Sequence, residues 1–317
     1  MSEKILVTGG CGFIGSKLVN KLITDGYSVS VLDDLSTGQK EHIKESLGEK
    51  NCELTIGSIT NLPLLEKLFV GIDIIIHEAA RPDVRSSIDN LLTEFETNVL
   101  GTLNVLQAMI KNNVPKIIFA SSGGTVYGET EVIPTPETEP LAPISYYGAS
   151  KAACEQYISS FTSLYDLEAI SLRFGNIFGP PAKKGVMHDF FWKLKKDPYS
   201  LEILGNGKQV KSYLFVDDCV EAHIQSIKTT ITGHTAFNIA SNEGITVDEI
   251  ADEVVKFLEL KNVKYSYTGG ERGWAGDVKK SVVDISKAEK VLSWKSITSI
   301  ELGIQKYLKW LSKENRN

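Results

Sequence analysis

Arginine is scarce in this chain. Five are present, Arg81, Arg85, Arg173, Arg272 and Arg316, against 29 lysines in 317 residues. The guanidinium fork is the strongest side-chain grip on phosphate oxygens, so an anion clamp has few places to be built. Histidine is as thin, at five scattered residues, and the four cysteines are Cys11, Cys52, Cys154 and Cys219. Such gaps fit neither a zinc site nor a small disulfide framework. No metal is expected, and the thiols are expected to be reduced. No apolar run approaches the roughly 18 residues of a membrane-spanning helix, and Met1-Ser2-Glu3-Lys4 leads straight into an apolar strand without signal-peptide character. A cytoplasmic location is the expectation. The net charge of −6 argues against general binding to nucleic acid or anionic membranes.

What the chain does have is an alternating rhythm. Lys4-Ile5-Leu6-Val7-Thr8 is a short apolar run with the look of a buried strand. Gly9-Gly10-Cys11-Gly12-Phe13-Ile14-Gly15 follows at once, then a helical pattern over 16–25 that Gly26 ends, then a strand over 28–33 closing on Asp33. Strands are expected over 52–56, 73–77, 116–121 and 168–173, with helices over 62–69, 91–111 and about 145–164. Alternating strands and helices with continuously apolar strands predict an α/β fold, a doubly wound parallel sheet of Rossmann type covered on both faces. After Arg173 the rhythm breaks at Gly179-Pro180-Pro181. The organisation expected is a nucleotide-binding domain over 1–174, with 211–241 returning to it, and a smaller C-terminal α/β substrate lobe from 175–210 and 242–317. The tail from Lys313 is expected to fray.

A glycine turn between strand and helix, with an acid ending the next strand, has a physical logic. Glycine lets the main chain approach a pyrophosphate, and the helix start offers N–H groups and positive dipole. Gly10, Gly12 and Gly15 have the spacing, and Asp33 would accept from ribose hydroxyls and repel a 2′-phosphate, which favours NAD over NADP. Tyr147 and Lys151 carry the candidate chemistry. Positions i and i+4 share a helix face, and a nearby fixed cation favours a phenolate. Eleven tyrosines and 29 lysines give about one Tyr-x-x-x-Lys by chance in this composition. The pair therefore draws its meaning from the nucleotide-binding stretch upstream.

With both features in place the chain resembles the extended short-chain dehydrogenase/reductase family, most closely its NAD-dependent nucleotide-sugar epimerases of the UDP-glucose 4-epimerase type. The likeness rests on Gly9 to Gly15, Asp33-Asp34-Leu35-Ser36-Thr37-Gly38, His77-Glu78-Ala79-Ala80 and Asn98-Val99-Leu100-Gly101-Thr102. It continues through Ser121 to Gly128, Tyr147 to Lys151, Arg173 to Pro180 and Gly205 to Asp218. The resemblance implies an enzyme that retains NAD. Tyr147 would take the C4 hydroxyl proton of a UDP-hexose, UDP-N-acetylhexosamine or UDP-hexuronate as hydride passes to NAD, Lys151 would hold the nicotinamide ribose and lower the Tyr147 pKa, and the keto sugar would turn before hydride returns. It further implies that Gly9, Gly12, Phe13, Ile14, Gly15, Asp33, Asp34, Ser36, Thr37, Gly38, Ser58, Ile59, Ala79, Ala80, Asn98, Ser121 and Phe174 line the cofactor. Gly175 would lie near the nicotinamide. Asn176, Val186, Leu204, Lys211, Arg272 and Ser281 would face the substrate.

Four departures from the family pattern matter. The serine that relays the proton is Gly123 here, within Ser121-Ser122-Gly123-Gly124-Thr125-Val126-Tyr127-Gly128. Thr125 is the first replacement and Ser122 the second. The adenine-contacting acid is Ser58, and the diphosphate arginine of the Gly-x-Gly-x-Gln segment is Lys211, a point charge instead of a fork. In the Arg-x-Gly-Asp segment Trp274 stands in the arginine's place, with Arg272 two residues earlier. Gly123 and Gly124 also lack the titratable groups that elimination or decarboxylation needs there. Ser281 falls where side-chain bulk gates the sugar pocket, and its small size implies room for an N-acetyl group.

Two other functions compete. A 4-ketoreductase of the same family would need exchangeable NADPH, against which Asp33 argues. A non-catalytic NAD-binding regulator would be expected to lose Tyr147 or Lys151. The helices over 91–111 and 146–164 carry surplus apolar residues (Phe95, Val99, Leu103, Leu106, Ile110, Tyr157 and Phe161). Family members pair through these helices as a four-helix bundle, so a homodimer is expected.

Overall fold

The computed structural model describes residues 3–82, 84–87 and 90–314. Its strands, in chain order, begin with β1 (Lys4–Thr8), β2 (Ser28–Asp33), β3 (Cys52–Ile56), β4 (Ile74–His77), β5 (Lys116–Ser121) and β6 (Glu168–Phe174). Shorter ones follow: β7 (Asn176–Phe178), β8 (Ser200–Ile203), β9 (Val210–Phe215), β10 (His234–Ile239), β11 (Gly244–Thr246), β12 (Lys264–Tyr267) and β13 (Lys280–Ser281). Seven of them form one sheet in the order β10-β6-β5-β4-β1-β2-β3, every pair parallel. This is the Rossmann-type α/β fold.

Successive side chains of a strand point to opposite faces, and both faces here are apolar. Ile5, Val7, Ile74, Ile76 and Ile118 join one core cluster, while Leu6, Ile75, Ile117 and Phe119 join another on the opposite side. That explains the uninterrupted apolar runs. The strand order turns between β1 and β4, where Thr8 pairs with both Leu32 and His77. Ligands of open α/β sheets bind at the carboxyl ends beside such a turn.

A smaller sheet is built on β9, which pairs with β7, β11 and β13, and β8 pairs with β12. A third core holds it, with Phe178, Phe190, Phe191, Tyr213, Phe215 and Tyr307. The return to the large sheet starts later than the sequence suggests. β9 belongs to the small sheet, and the helix Val216–Lys228 and β10 make the return.

One long helix was expected over 91–111. The structure has an α-turn at Leu91–Glu94, a π-helix at Phe95–Leu100 and an α-helix at Gly101–Asn112. The widened turn carries Asn98, whose carbonyl accepts from the Thr102 hydroxyl (2.6 Å) and the Cys154 thiol (3.2 Å). Single π-turns of this kind mark functional sites. The helix Tyr146–Tyr165 starts on Ser145, whose side chain accepts from the Gly148 N–H at 3.1 Å. Among the described residues no helix is long and apolar enough to cross a membrane. The tail expected to fray lies partly outside the described residues.

Candidate active site

The glycine loop closes on itself. Gly9 has φ +71° and a Cβ there would lie 2.7 Å from the Ala79 nitrogen, so only glycine fits between β1 and the segment after β4. A Cβ on Gly15 would stand 2.2 Å from the Gly9 carbonyl oxygen. Gly12 precedes the helix Phe13–Thr24, and that start has no side-chain cap and no acid in its first turn. Its free N–H groups and positive end suit a pyrophosphate. Asp33 is buried and accepts from the main-chain N–H groups of Cys11 and Leu35, both at 2.8 Å. Burial raises its carboxyl pKa while those two bonds pull it down. Gly38 folds back so that a Cβ would meet Cys11 at 2.8 Å, and Asp34 accepts from the Ser36 N–H at 2.9 Å. The segment holding Ser36, Thr37 and Gly38 thus packs on the loop holding Gly12, Phe13 and Ile14. Ser58 bonds Thr60 at 2.9 Å at the end of β3, beside buried Ile59. This cradle fits NAD, whose phosphates would lie at the helix start and whose adenine ribose would lie at Asp33.

His77, at the end of β4, fixes the next layer. Its Nδ1 is 2.7 Å from the Thr8 hydroxyl and its Nε2 is 3.0 Å from the Thr102 hydroxyl. The Thr102 proton goes to the Asn98 carbonyl, so Nε2 carries the histidine's hydrogen and Nδ1 accepts from Thr8. Burial, with the Lys151 charge second, lowers the His77 pKa to about 3. Thr8 also accepts from the Ala79 N–H at 3.2 Å, which sets Ala79 and Ala80 across from Gly9.

Tyr147 and Lys151 stand together on the helix Tyr146–Tyr165, with the ammonium 5.9 Å from the phenol ring centre. Lys151 donates to the Ala120 carbonyl at 2.7 Å. The lowering of the Tyr147 pKa was expected with NAD bound, and in the protein alone the phenol is pushed the other way. Burial raises it first, the carboxylates Glu94 and Glu78 add to the rise, and a Ser122 hydrogen bond pulls the other way. In the protein alone the phenol keeps its proton. Lys151 is itself buried and its pKa is lowered by desolvation.

The structure orders the two replacement hydroxyls. Thr125 donates to Ser122 at 2.8 Å, and Ser122 is the hydroxyl that pulls the Tyr147 pKa down. Ser122 is therefore nearer the phenol, the reverse of the sequence ranking. Gly123 has no room for the family's serine, since a Cβ would lie 2.8 Å from the Arg173 carbonyl. Ser121 donates to Glu155, which forms a buried ion pair with Arg173 at 2.7 Å. Arg173 further donates to Tyr127 and the Glu137 carbonyl. That arginine is structural and leaves the short supply of phosphate-binding candidates.

On the substrate side, a Cβ on Gly124 would sit 3.7 Å from Asn176 Oδ1 and 4.0 Å from the Ser281 hydroxyl. Ser281 pairs with Lys211 across β13 and β9. Lys211 forms a short ion pair with buried Asp277 and lies 5.2 Å from the Trp274 ring centre. Arg272 pairs with Glu129 at 2.9 Å and its side chain is 44% exposed. Leu204 packs 3.6 Å from where a Gly273 side chain would begin, and Val186 opens the helix Val186–Lys196 against the third core. Phe174 is buried with its ring against His223 at 5.5 Å.

The sequence model of the NAD dependent epimerase/dehydratase family matches residues 5–240. The chain belongs to that family. A putative UDP-glucose 4-epimerase of Methanocaldococcus jannaschii is 35% identical over 98% of this chain and 99% of its own. The Thermotoga maritima UDP-glucose 4-epimerase, solved with UDP-glucose, is 34% identical with a TM-score of 0.89, covering 98% of this chain and 99% of that one. A UDP-N-acetylglucosamine 4-epimerase of Methanobrevibacter ruminantium, solved with UDP-N-acetylmuramic acid, is 30% identical with the same TM-score and the same coverage. The protein is an NAD-dependent enzyme of the nucleotide-sugar epimerase type.

Two acids of this epimerase-family site escape a sequence reading. Glu94 accepts from the Asn98 side chain at 2.6 Å, an i, i+4 contact that spacing alone hints at. Glu78 lies 2.8 Å from His223 Nε2, and His223 Nδ1 donates to the Cys219 carbonyl at 3.0 Å. Nothing local in sequence joins Glu78 to a histidine on the helix Val216–Lys228.

Proposed function

We propose that this protein is a 4-epimerase of UDP-hexoses and UDP-N-acetylhexosamines, with Tyr147 exchanging the proton of the C4 hydroxyl. The observation that carries the reading is the hydroxyl series Thr125, Ser122, Tyr147 beside Asn176 and Ser281. Tyr147 takes the C4 hydroxyl proton and returns it after the sugar has turned. Ser122 steadies the phenol, and Thr125 orients Ser122. Lys151 places a fixed charge beside the phenol and donates toward the ribose side. When bound, NAD supplies the hydride acceptor and donor at C4. Gly9, Gly12, Gly15, Asp33, Asn98, Ala79 and Ala80 would hold it.

Room at Gly124 and Ser281 supports the N-acetylated substrates. A UDP-sugar panel followed by NMR, on protein carrying NAD, tests this directly. Turnover of UDP-GlcNAc is expected. Clear turnover of UDP-glucose with none of UDP-GlcNAc would sink the substrate assignment.

The homodimer is part of the proposal. Leu92 (75%), Phe95 (52%) and Leu164 (72%) are exposed on the two helical segments, as is Tyr157, whereas Val99 and Leu106 are buried in the chain's own core. Pairing through these faces gives a four-helix arrangement. Sedimentation analysis should show a dimer at micromolar concentration, and a monomer there would remove this part.

A further inference from the structure

The helix Tyr146–Tyr165 grips the end of β5 at two successive residues. Lys151 donates to the Ala120 carbonyl at 2.7 Å, and one turn further on Glu155 accepts from the Ser121 hydroxyl. Tyr147, Lys151 and Glu155 are spaced i, i+4 and i+8, so they form one stripe along the helix. The strand end needs such a grip, because the register of β5 with β4 stops at Phe119 while that with β6 runs on to Ser121. Ser121 is the cross-strand partner of Arg173, whose guanidinium closes on both Glu155 oxygens at 2.7, 3.0 and 3.1 Å. Tyr127 and the Glu137 carbonyl accept from its other nitrogen, and Tyr127 in turn donates to Asn238 at 2.7 Å. Ser121, Tyr127, Glu155, Arg173 and Asn238 are all buried. The network ends one residue short of Ser122.

We propose that Glu155 is a positioning residue for the epimerase reaction: held rigid by Arg173, it fixes the end of β5 so that the Ser122 hydroxyl meets Tyr147; this rests on the 4-epimerase reading above. A buried ion pair contributes little net stability compared with apolar side chains of similar volume. What the Glu155–Arg173 pair does supply is a fixed point. The tolerance is narrow. One residue of slip moves a helix about 1.5 Å along its axis, whereas O–H···O bonds span a range of only about 0.5 Å. The Lys151 contact alone would leave the strand end free to pivot about the Ala120 carbonyl, and the Ser121 contact removes that freedom. Past it, the Ser122 carbonyl accepts from the Thr125 and Val126 N–H groups at 3.2 and 3.0 Å. Ser122 thus joins a clamped strand end to a closed turn, and its hydroxyl is held from both sides.

Glu155→Gln would leave the Arg173 charge unpaired in the core and is expected to hinder folding, so the contact is cut from its other end. Ser121→Ala removes one hydroxyl and keeps the ion pair. Steady-state kinetics of the NAD-loaded variant, on the UDP-sugar the parent turns over fastest, should show kcat lowered about tenfold. That is less than the roughly 10²-fold that a misplacement of about 1 Å can cost. KM, and the NAD content of denatured protein, should be unchanged. The double variant Ser121→Ala, Ser122→Ala separates positioning from general damage. If Glu155 acts through Ser122, the double variant should be no slower than Ser122→Ala alone, because the group being positioned is gone. A kcat unmoved by Ser121→Ala, a loss that falls on KM or NAD content instead, or losses that multiply in the double variant would overturn the positioning role. A parent inert toward every UDP-sugar overturns the epimerase reading, and the positioning role with it, before any variant is made.

Discussion

Lys151 holds its ammonium 5.9 Å from the centre of the Tyr147 ring and donates at 2.7 Å to the Ala120 carbonyl. A nearby cation favours a phenolate, yet in the protein alone burial, with the carboxylates Glu94 and Glu78, pushes the phenol pKa up. In the proposed reaction, ionisation of Tyr147 therefore depends on what the bound cofactor and substrate add.

Replacing Tyr147 by phenylalanine removes the proton-exchanging group and leaves the ring in place. Turnover should fall by about 10²–10⁴-fold, the usual contribution of a positioned acid or base. NAD content, measured on denatured protein, should be unchanged. Retained turnover would remove the catalytic assignment.

Glu94 is the largest charge raising the Tyr147 pKa. Glu94→Gln keeps an acceptor for Asn98 and removes that charge, so the phenol should ionise at lower pH. The rising limb of the kcat against pH profile should move to lower pH. A shift the other way would show that Glu94 does not act on the phenol through its charge.

The hydroxyl order predicts unequal losses. Ser122→Ala breaks the bond to the phenol and should lower kcat roughly tenfold or more, whereas Thr125→Ala, one bond removed, should cost less. Gly123→Ser should not rescue Ser122→Ala, because its Cβ would press on the Arg173 carbonyl 2.8 Å away. Steady-state kinetics of the three variants would decide, and a larger loss from Thr125→Ala would restore the ranking drawn from sequence.

His77 makes stability fall in acid. Its folded pKa of about 3 lies below the unfolded value of 6.5, so between those limits the unfolded chain binds the extra proton. Stability therefore rises with pH across this window and is lost as pH falls through it. From pH 6.5 to 5 the loss is about 2 kcal/mol from this group. Denaturant titrations of the parent and of His77→Gln should show a shallower acid slope in the variant. Equal slopes would mean that the histidine is not held neutral.

The large sheet was legible because buried parallel strands must be apolar throughout, and β1, β4 and β5 are. The glycine loop and Asp33 were legible because close approach admits few residue types. The π-turn at Phe95–Leu100 was not, since one extra residue hardly disturbs an apolar stripe. Nor was the role of Arg173, whose partner Glu155 sits on another element. The small sheet rests on two- and three-residue pairings such as β13 with β9, which carry no periodicity.

The seventh strand of the large sheet, β10, arrives only after β7 and β9 of the small sheet have been laid down. A fragment ending at Phe174 would bare the whole hydrogen-bonding margin of β6, from Ala169 to Phe174. Such a margin invites pairing between molecules. Expression of the cofactor-binding half by itself should yield precipitate, and swapping lobes between relatives would need two splice points in place of one.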